Sequence, residues 1–516
     1  MLLFLALACH APTPAGESGT AGDPLASPWS GTITLDSDYV VAAGETLVIR
    51  PGTWVKAAAG VTITVDGELD AAGTDDEAGR ISFESADPPS DPSDTTPVAD
   101  PWGGIVFNAD AVSATFDRVD TYASGSIVEH ARIAYATRGM HILGSSPYVH
   151  SVEFFDNVIA ATTDTIGGAG LLISAGATPR IRDCVFQNNV ANTFAYGGGA
   201  YIDQADPILQ DDEFASNSAS YGGGLSTFLS ASPIVGGTFS ANTSQSDGGG
   251  ISLVSSVSAL LYLEFYENGA KGDGAGVHVC VDCNPHASPY LYDDVIEANT
   301  SAATSPDGGA AGIGAAFLGG FDHNDVYGNL RGTAPSDFSW FNLTADAFPS
   351  WIANPVLDGD YWGTTDATAI ADTLYDGADN ATYSTVTVTN PAATSIATAP
   401  VARAVIASRQ LEYTNAGDDV PVFLTVYNPG PEQIVTLSIT ENGAPATLDL
   451  AYPGAARSGD GWTLDLPENS VWFGTIADST YDGTTTADTT WTATLTGSDG
   501  SVIGEPLSAR YLYSPH

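Results

Sequence analysis

The sequence predicts an all-β molecule, a parallel β-solenoid with one coil per repeat followed by an immunoglobulin-like β-sandwich. Three observations predict it. A Phe-x-x-Asn motif recurs through the middle of the chain, a glycine block recurs in phase with it, and both give way after about residue 395 to short alternating strands.

The motif stands at Phe154/Asn157, Phe186/Asn189, Phe214/Asn217, Phe239/Asn242 and Phe265/Asn268, with degenerate copies at Ile296/Asn299 and Val326/Asn329. Gaps between the first five asparagines are 32, 28, 25 and 26 residues. The glycine blocks are Gly197-Gly198-Gly199, Gly222-Gly223-Gly224, Gly248-Gly249-Gly250 and Gly274-Ala275-Gly276. A period near 26 fits one solenoid coil, whereas a propeller blade needs about 40–45 residues. After each glycine block the residues alternate as a strand does: Ala200-Tyr201-Ile202, Leu225-Ser226-Thr227, Ile251-Ser252-Leu253 and Val277-His278-Val279. The outer columns of this alignment should face the core, and the middle column (Tyr201, Ser226, Ser252, His278) should face outward. Coils stack at about 4.8 Å, so equivalent residues form ladders, and each coil buries its inner face only through its neighbours.

The ladders read more simply as structure than as ligands. The phenylalanines make an internal aromatic stack rather than a sugar track, and the asparagines a hydrogen-bonded turn ladder. The glycines supply tight corners. No Gly-Lys-Ser/Thr follows them, so they are not phosphate loops. Phe186, Asn189, Phe214, Asn217, Phe239, Asn242, Phe265 and Asn268 are therefore structural ladder positions.

These repeats resemble those of chlamydial-type polymorphic outer-membrane proteins, within the right-handed parallel β-helix superfamily. Residues 40–107, from VVAAGETLVIRPGTWV to WGGIVF, resemble the opening coils of secreted bacterial β-helix proteins. YWGTTDATAIADTLYDG, from Tyr361, resembles their closing segment, with a short capping helix at about 366–375. The resemblance implies right-handedness, and a solenoid of about 13 coils is expected. For function the resemblance leaves pectate lyases, adhesins and proteins with no known activity all open.

Beyond the repeat, strands are expected at Val420–Tyr427, Ile434–Thr440, Val471–Ile476 and Trp491–Thr496, separated by turns such as Asn428-Pro429-Gly430. About seven strands in this length suggest a sandwich. The expected organisation is a signal segment at 1–9, a linker at 10–29, the solenoid at 30–395 with its cap from about 361, and the sandwich at 396–516. Leu2–Ala8 is a short apolar run, and Ala6-Leu7-Ala8-Cys9 resembles a bacterial lipoprotein signal, which would make Cys9 the lipidated residue. The expected location is outside the cell, as a surface lipoprotein of the outer membrane or a secreted protein. Membrane contact would come only through that lipid, and the protein would be a monomer.

Charge narrows the functional classes. With 62 Asp+Glu against 14 Lys+Arg and a formal charge of −48, the chain cannot neutralise nucleic-acid phosphates. The charge also disfavours an anionic polysaccharide unless a cation such as calcium bridges the two. Adjacent acid pairs occur six times, as random placement would give, so they do not identify a glycosidase dyad. A lyase needs an arginine or lysine to abstract a proton beside calcium-binding carboxylates. Arg180 and Arg182, flanking Ile181, are the candidates, near Glu153, Asp183 and Asp211. Surface ion pairing is the plainer reading of the same residues.

The cluster His278-Val-Cys280-Val-Asp-Cys283-Asn-Pro-His286 offers a second possibility. His278 and Cys280 should lie together outside, and two Cys with two His can hold zinc. In an oxidising compartment Cys280 and Cys283 can instead close a small disulfide. Trp340, Phe341, Trp351, Tyr361 and Trp362 form either a glycan platform or the core of the cap. The leading expectation is a non-catalytic adhesion or envelope module contacting a glycan or surface protein, without a cofactor. The alternative is a calcium-dependent, pectate-lyase-like or other polysaccharide-acting enzyme.

Overall fold

A computed structural model describes residues 17–18, 27–88, 101–117, 121–160, 166–192, 194–280, 289–302, 310–315, 318–341, 355–381, 383–395, 401–408, 419–445, 456–458, 461–480 and 489–511. Most of the chain winds into a right-handed parallel β-helix. One face is a twelve-stranded sheet running from Tyr39–Val41 through Leu171–Ser174 and Ala200–Asp203 to Leu374–Tyr375. The sheet has twelve strands, where thirteen coils were expected, and the coils are unequal in length: Glu129 pairs with His150, 21 residues on, Met140 with Leu171, 31 on, and Phe338 with Leu374, 36 on. A narrow second face has eight two-residue strands, such as Val190–Ala191. The third face is split. Its strands come in pairs flanking a bend, as in Arg180–Arg182 and Val185–Gln187, or run through it, as in Ile208–Ala215.

The ladders occupy the corners and core. Phe154, Phe186, Phe214, Phe239 and Phe265 stack with centroids 4.8, 4.5, 4.7 and 4.8 Å apart, the coil spacing itself. The asparagine column is continuous. Each Nδ2 donates to the next Oδ1 at 2.9–3.0 Å from Asn157 through Asn189, Asn217, Asn242, Asn268 and Asn299 to Asn329. Asp337 ends it, its Oδ1 accepting from Asn329 N at 3.0 Å and Nδ2 at 2.9 Å. A last rung needs only to accept, which a carboxyl does.

One expectation about the twelve-stranded face fails. Its middle column is covered, not exposed: Ser226 and Ser252 are wholly buried, and Tyr201 and His278 nearly so. The glycine corners fold back over it. Gly222 and Gly248 adopt φ of +63° and +68°, and a Cβ on them would stand 2.9 Å from Ser226 Cβ and 2.8 Å from Ser252 Cβ. Only glycine permits that approach.

At the end of the solenoid, a helix at Ala367–Ala371 is capped by the Asp366 side chain, which accepts from Thr368 N and Ala369 N. It stops sooner than expected because the chain re-enters the sheet at Leu374–Tyr375. The C-terminal region forms two antiparallel sheets. One joins Arg403–Ser408, Asp419–Asn428 and Ser470–Thr480, and the other centres on Gln433–Glu441 and Thr489–Gly497. Leu424, Val426, Leu437, Leu464 and Trp491 are among its buried core residues.

This sandwich-like region docks on the split face. Its core is continuous with Val235, Leu261, Tyr290 and Tyr292 of the rod. Arg403 grips Asp293 through two bonds of 2.7 and 2.8 Å, with both side chains almost fully buried. Asn469 donates to Asp211 at 2.8 Å, and Tyr262 donates to the Val401 carbonyl at 2.8 Å. Among the described residues no helix is long and apolar enough to cross a membrane. Cys9 lies outside the described residues.

Candidate functional site

Where the sandwich leaves the split face uncovered, three successive coils assemble a charged, aromatic surface. They are Ile127–Ala134, Tyr148–Phe155 and the pair beginning at Arg180–Arg182. The register sets Glu129 beside His150 and His150 beside Arg182. Val128, Val149 and Ile181 point inward and are fully buried. At the bend His130, Ser151 and Asp183 take positive φ values of 45°, 52° and 53°. Such a residue resets the strand alternation, so two neighbours in sequence, such as Glu129 and His130, both reach the surface.

His150 is held at both ring nitrogens, Nδ1 by Glu129 Oε1 at 2.7 Å and Nε2 by Asp183 Oδ2 at 3.1 Å. Burial works against its protonation, but the bonds to Asp183 and Glu129 outweigh this and raise its pKa to about 9. The same bond to His150 lowers Glu129, and likewise Asp183, below the usual carboxylate range. In this state His150 is an imidazolium, not a base. Its ring stacks on Tyr148 at 5.3 Å, and Tyr148 stacks on Tyr122 at 5.8 Å. Phe116 meets the edge of this row at Tyr148 and carries the Arg180 guanidinium 4.0 Å above its own ring.

A depression of about 370 Å³ adjoins the row, lined by Thr74, Asp75, Arg80, His130, Glu153 and Asp183 among others. Arg80 meets Glu153 at 3.1 Å and Glu77 at 3.6 Å, and Arg132 meets Glu153 at 3.6 Å. Arg80, Arg132, Arg180 and Arg182 are four of only 14 basic side chains in the sequence, so this surface concentrates the scarce positive charge.

The structure places the other sequence candidates as follows. Arg180 and Arg182 share the outer face, but Arg182 pairs with Asp183 at 3.3 Å and Arg180 sits on Phe116. Glu153 engages Arg80 and Arg132 instead, and Asp211 is taken by Gln210 and Asn469. Of the three acids expected near Arg180 and Arg182, Asp183 meets Arg182 directly, as surface ion pairing would have it. His278 is covered and bonded to Ser252 Oγ at 3.1 Å, and burial depresses its pKa. Cys280 is disulfide-bonded, which removes its thiolate from metal ligation. Cys283 and His286 lie outside the described residues, so the four-residue zinc set is not seen together. Trp340, Phe341 and Trp362 are buried in the cap, which rules them out as a glycan platform, and Trp351 lies outside the described residues.

Glu129, His130, Tyr148 and His150 escaped sequence reading. The Phe-x-x-Asn repeat becomes visible only from Phe154, and the coil joining Glu129 to His150 spans 21 residues, shorter than the period.

No protein-family model matches the chain, and no curated protein matches its sequence. Among solved structures, it is similar to a tailspike protein of E. coli bacteriophage HK620. A double-mutant form of that tailspike is 10% identical with a TM-score of 0.20, over 87% of this chain and 86% of the other. Two forms in complex with a pentasaccharide match at 12% identity with a TM-score of 0.17 and at 10% with 0.19, with the same coverage. Scores this low equate no residue of this chain with one of theirs, and the fold here stands on its own strand register.

Proposed function

We propose that the protein is an exported, surface-displayed, non-catalytic module that binds a glycan along the uncovered part of the split face. The observation that carries this reading is the row Tyr122–Tyr148–His150 beside Phe116–Arg180. It combines flat aromatic faces, the His150 ring among them, with a guanidinium donor on half-exposed surface. Sugar rings offer C–H faces to aromatic side chains and hydroxyls to charge-assisted donors. The local arginines offset the −48 charge enough for a neutral or weakly acidic chain to approach. The glycine and Phe-x-x-Asn repeats support export in the manner of the polymorphic outer-membrane proteins they resemble. The N-terminal run to Cys9 supports a lipid anchor.

A glycan array followed by titration tests the reading. Tyr148→Ala should weaken binding at least tenfold without lowering the thermal transition by more than a few degrees. Absence of any glycan ligand, alongside measurable polysaccharide cleavage, would reject it.

Arg80 favours a second reading, a polysaccharide lyase, because it faces two carboxylates beside the open depression. Ultraviolet absorbance of unsaturated product on pectate and alginate, with and without calcium, tests it. A flat signal in both conditions excludes those substrates.

A further inference from the structure

We propose that Glu129, His130 and His150 bind a divalent transition ion of the zinc class, with Asp183 orienting the His150 ring from behind. The ligating atoms of the three side chains all lie within 4.8 Å of one another. An ion about 2.0–2.1 Å from each donor needs them about 3.3 Å apart in a tetrahedral array, within reach of small side-chain rotations. His150 Nδ1 and Glu129 Oε1 are already 2.7 Å apart. The ion takes the place of the proton between them: the Nδ1 lone pair forms the metal bond and the proton leaves to solvent.

Two further features distinguish this cluster from a simple ion pair. First, Asp183 Oδ2 holds the opposite ring nitrogen at 3.1 Å. An outer carboxylate of this kind fixes the tautomer and orientation of a metal-bound imidazole. Second, the positive φ of His130 brings its ring to 5.7 Å from that of His150, tilted by 57°. Among the described residues, neither Glu129 nor His150 requires His130 there as a hydrogen-bond partner. All three ligands are partly exposed, so an ion can enter and a fourth position stays open to water.

The donor set selects the ion. Two imidazoles and one carboxylate suit zinc, nickel or ferrous iron, whereas calcium seeks six to eight oxygens. The inference does not rest on the glycan reading, and its measurements involve no glycan.

The full chain, treated with a chelator and desalted, is titrated calorimetrically with zinc chloride. One equivalent should bind. His130→Ala and Glu129→Gln should each weaken binding at least tenfold, and Asp183→Asn, which keeps every ligand, by about 10–100-fold. Cobalt(II) in place of zinc should give the visible absorption of a four- or five-coordinate ion, lost in His150→Ala. If His150→Ala does not fold, His130→Ala carries the test, since its metal-free thermal transition should match that of the parent. Absence of saturable uptake would overturn the proposal. So would binding and a cobalt spectrum unchanged by His130→Ala.

Discussion

At the residue scale, the solenoid is decided by how buried polar groups are satisfied. Asn217 shows the logic. Its Nδ2 donates to the Phe186 carbonyl at 2.8 Å and to Asn242 Oδ1 at 2.9 Å, while its Oδ1 accepts from Asn189 N and Nδ2. Asn217→Ala strands partners on both neighbouring coils, each at about 1–3 kcal/mol, so chemical denaturation should report a loss of about 3 kcal/mol or more. The acids of a parallel column behave differently. Asp212, Asp294 and Asp360 are buried, and each has one oxygen accepting a backbone N–H and the other without a hydrogen-bond partner. Burial pushes all three well above the usual carboxylate range, and pushes Asp337 to about 6. Because the folded state holds these protons more tightly, their contribution to stability is complete below the unfolded pKa of about 4 and is lost as pH rises. For Asp337 that loss falls between about pH 4 and 6. Asp294→Asn should therefore raise the thermal transition at pH 7 by several degrees and leave it nearly unchanged at pH 3.5. An equal effect at both pH values would contradict this assignment.

At the element scale, the split strand is the device that makes a surface site on a repetitive rod. A positive-φ bend turns two consecutive side chains outward, so functional groups accumulate where the ladder rules relax. The core tolerates no such freedom. Phe214 lies 4.5 and 4.7 Å from its stacking neighbours, and Phe214→Ala should cost about 3–5 kcal/mol, read as a shift in denaturation midpoint. Gly248→Ala combines a positive φ with a contact of 2.6 Å to the Ile251 carbonyl, and should lower the thermal transition even though it adds only a methyl group. This contrast explains what the sequence revealed. Phe-x-x-Asn and the glycine blocks were legible because every coil must solve the same packing problem with the same residue. The Glu129–His150 pairing occurs once, on a coil of different length, and periodicity carries no trace of it. The covered middle column was missed for another reason. Alternation reports which side of a strand faces the core, but not whether a neighbouring corner folds over the other side.

At the scale of the whole molecule, the C-terminal sandwich closes one stretch of the split face and leaves the next open. The buried Arg403–Asp293 pair fixes that arrangement. Removing one partner strands the other charge, so Arg403→Ala should destabilise the docking by about 3–5 kcal/mol, whereas a matched apolar pair at both positions should cost far less. Limited proteolysis after residue 395 reads the difference: rapid release of the sandwich in Arg403→Ala only. The net charge of −48 spreads over this rod as outward residues and loops, discouraging edge-to-edge association. Against that background the arginine and histidine group locally balances the negative charge, and it is there that the glycan reading is placed. Hydrogen–deuterium exchange of the full chain with and without an array-identified oligosaccharide tests that placement most directly. Protection confined to residues 115–117, 121–124, 127–132, 148–153 and 180–183, with the sugar recovered intact, is the predicted result. Protection elsewhere on the rod, or recovery of a shortened sugar, would contradict it.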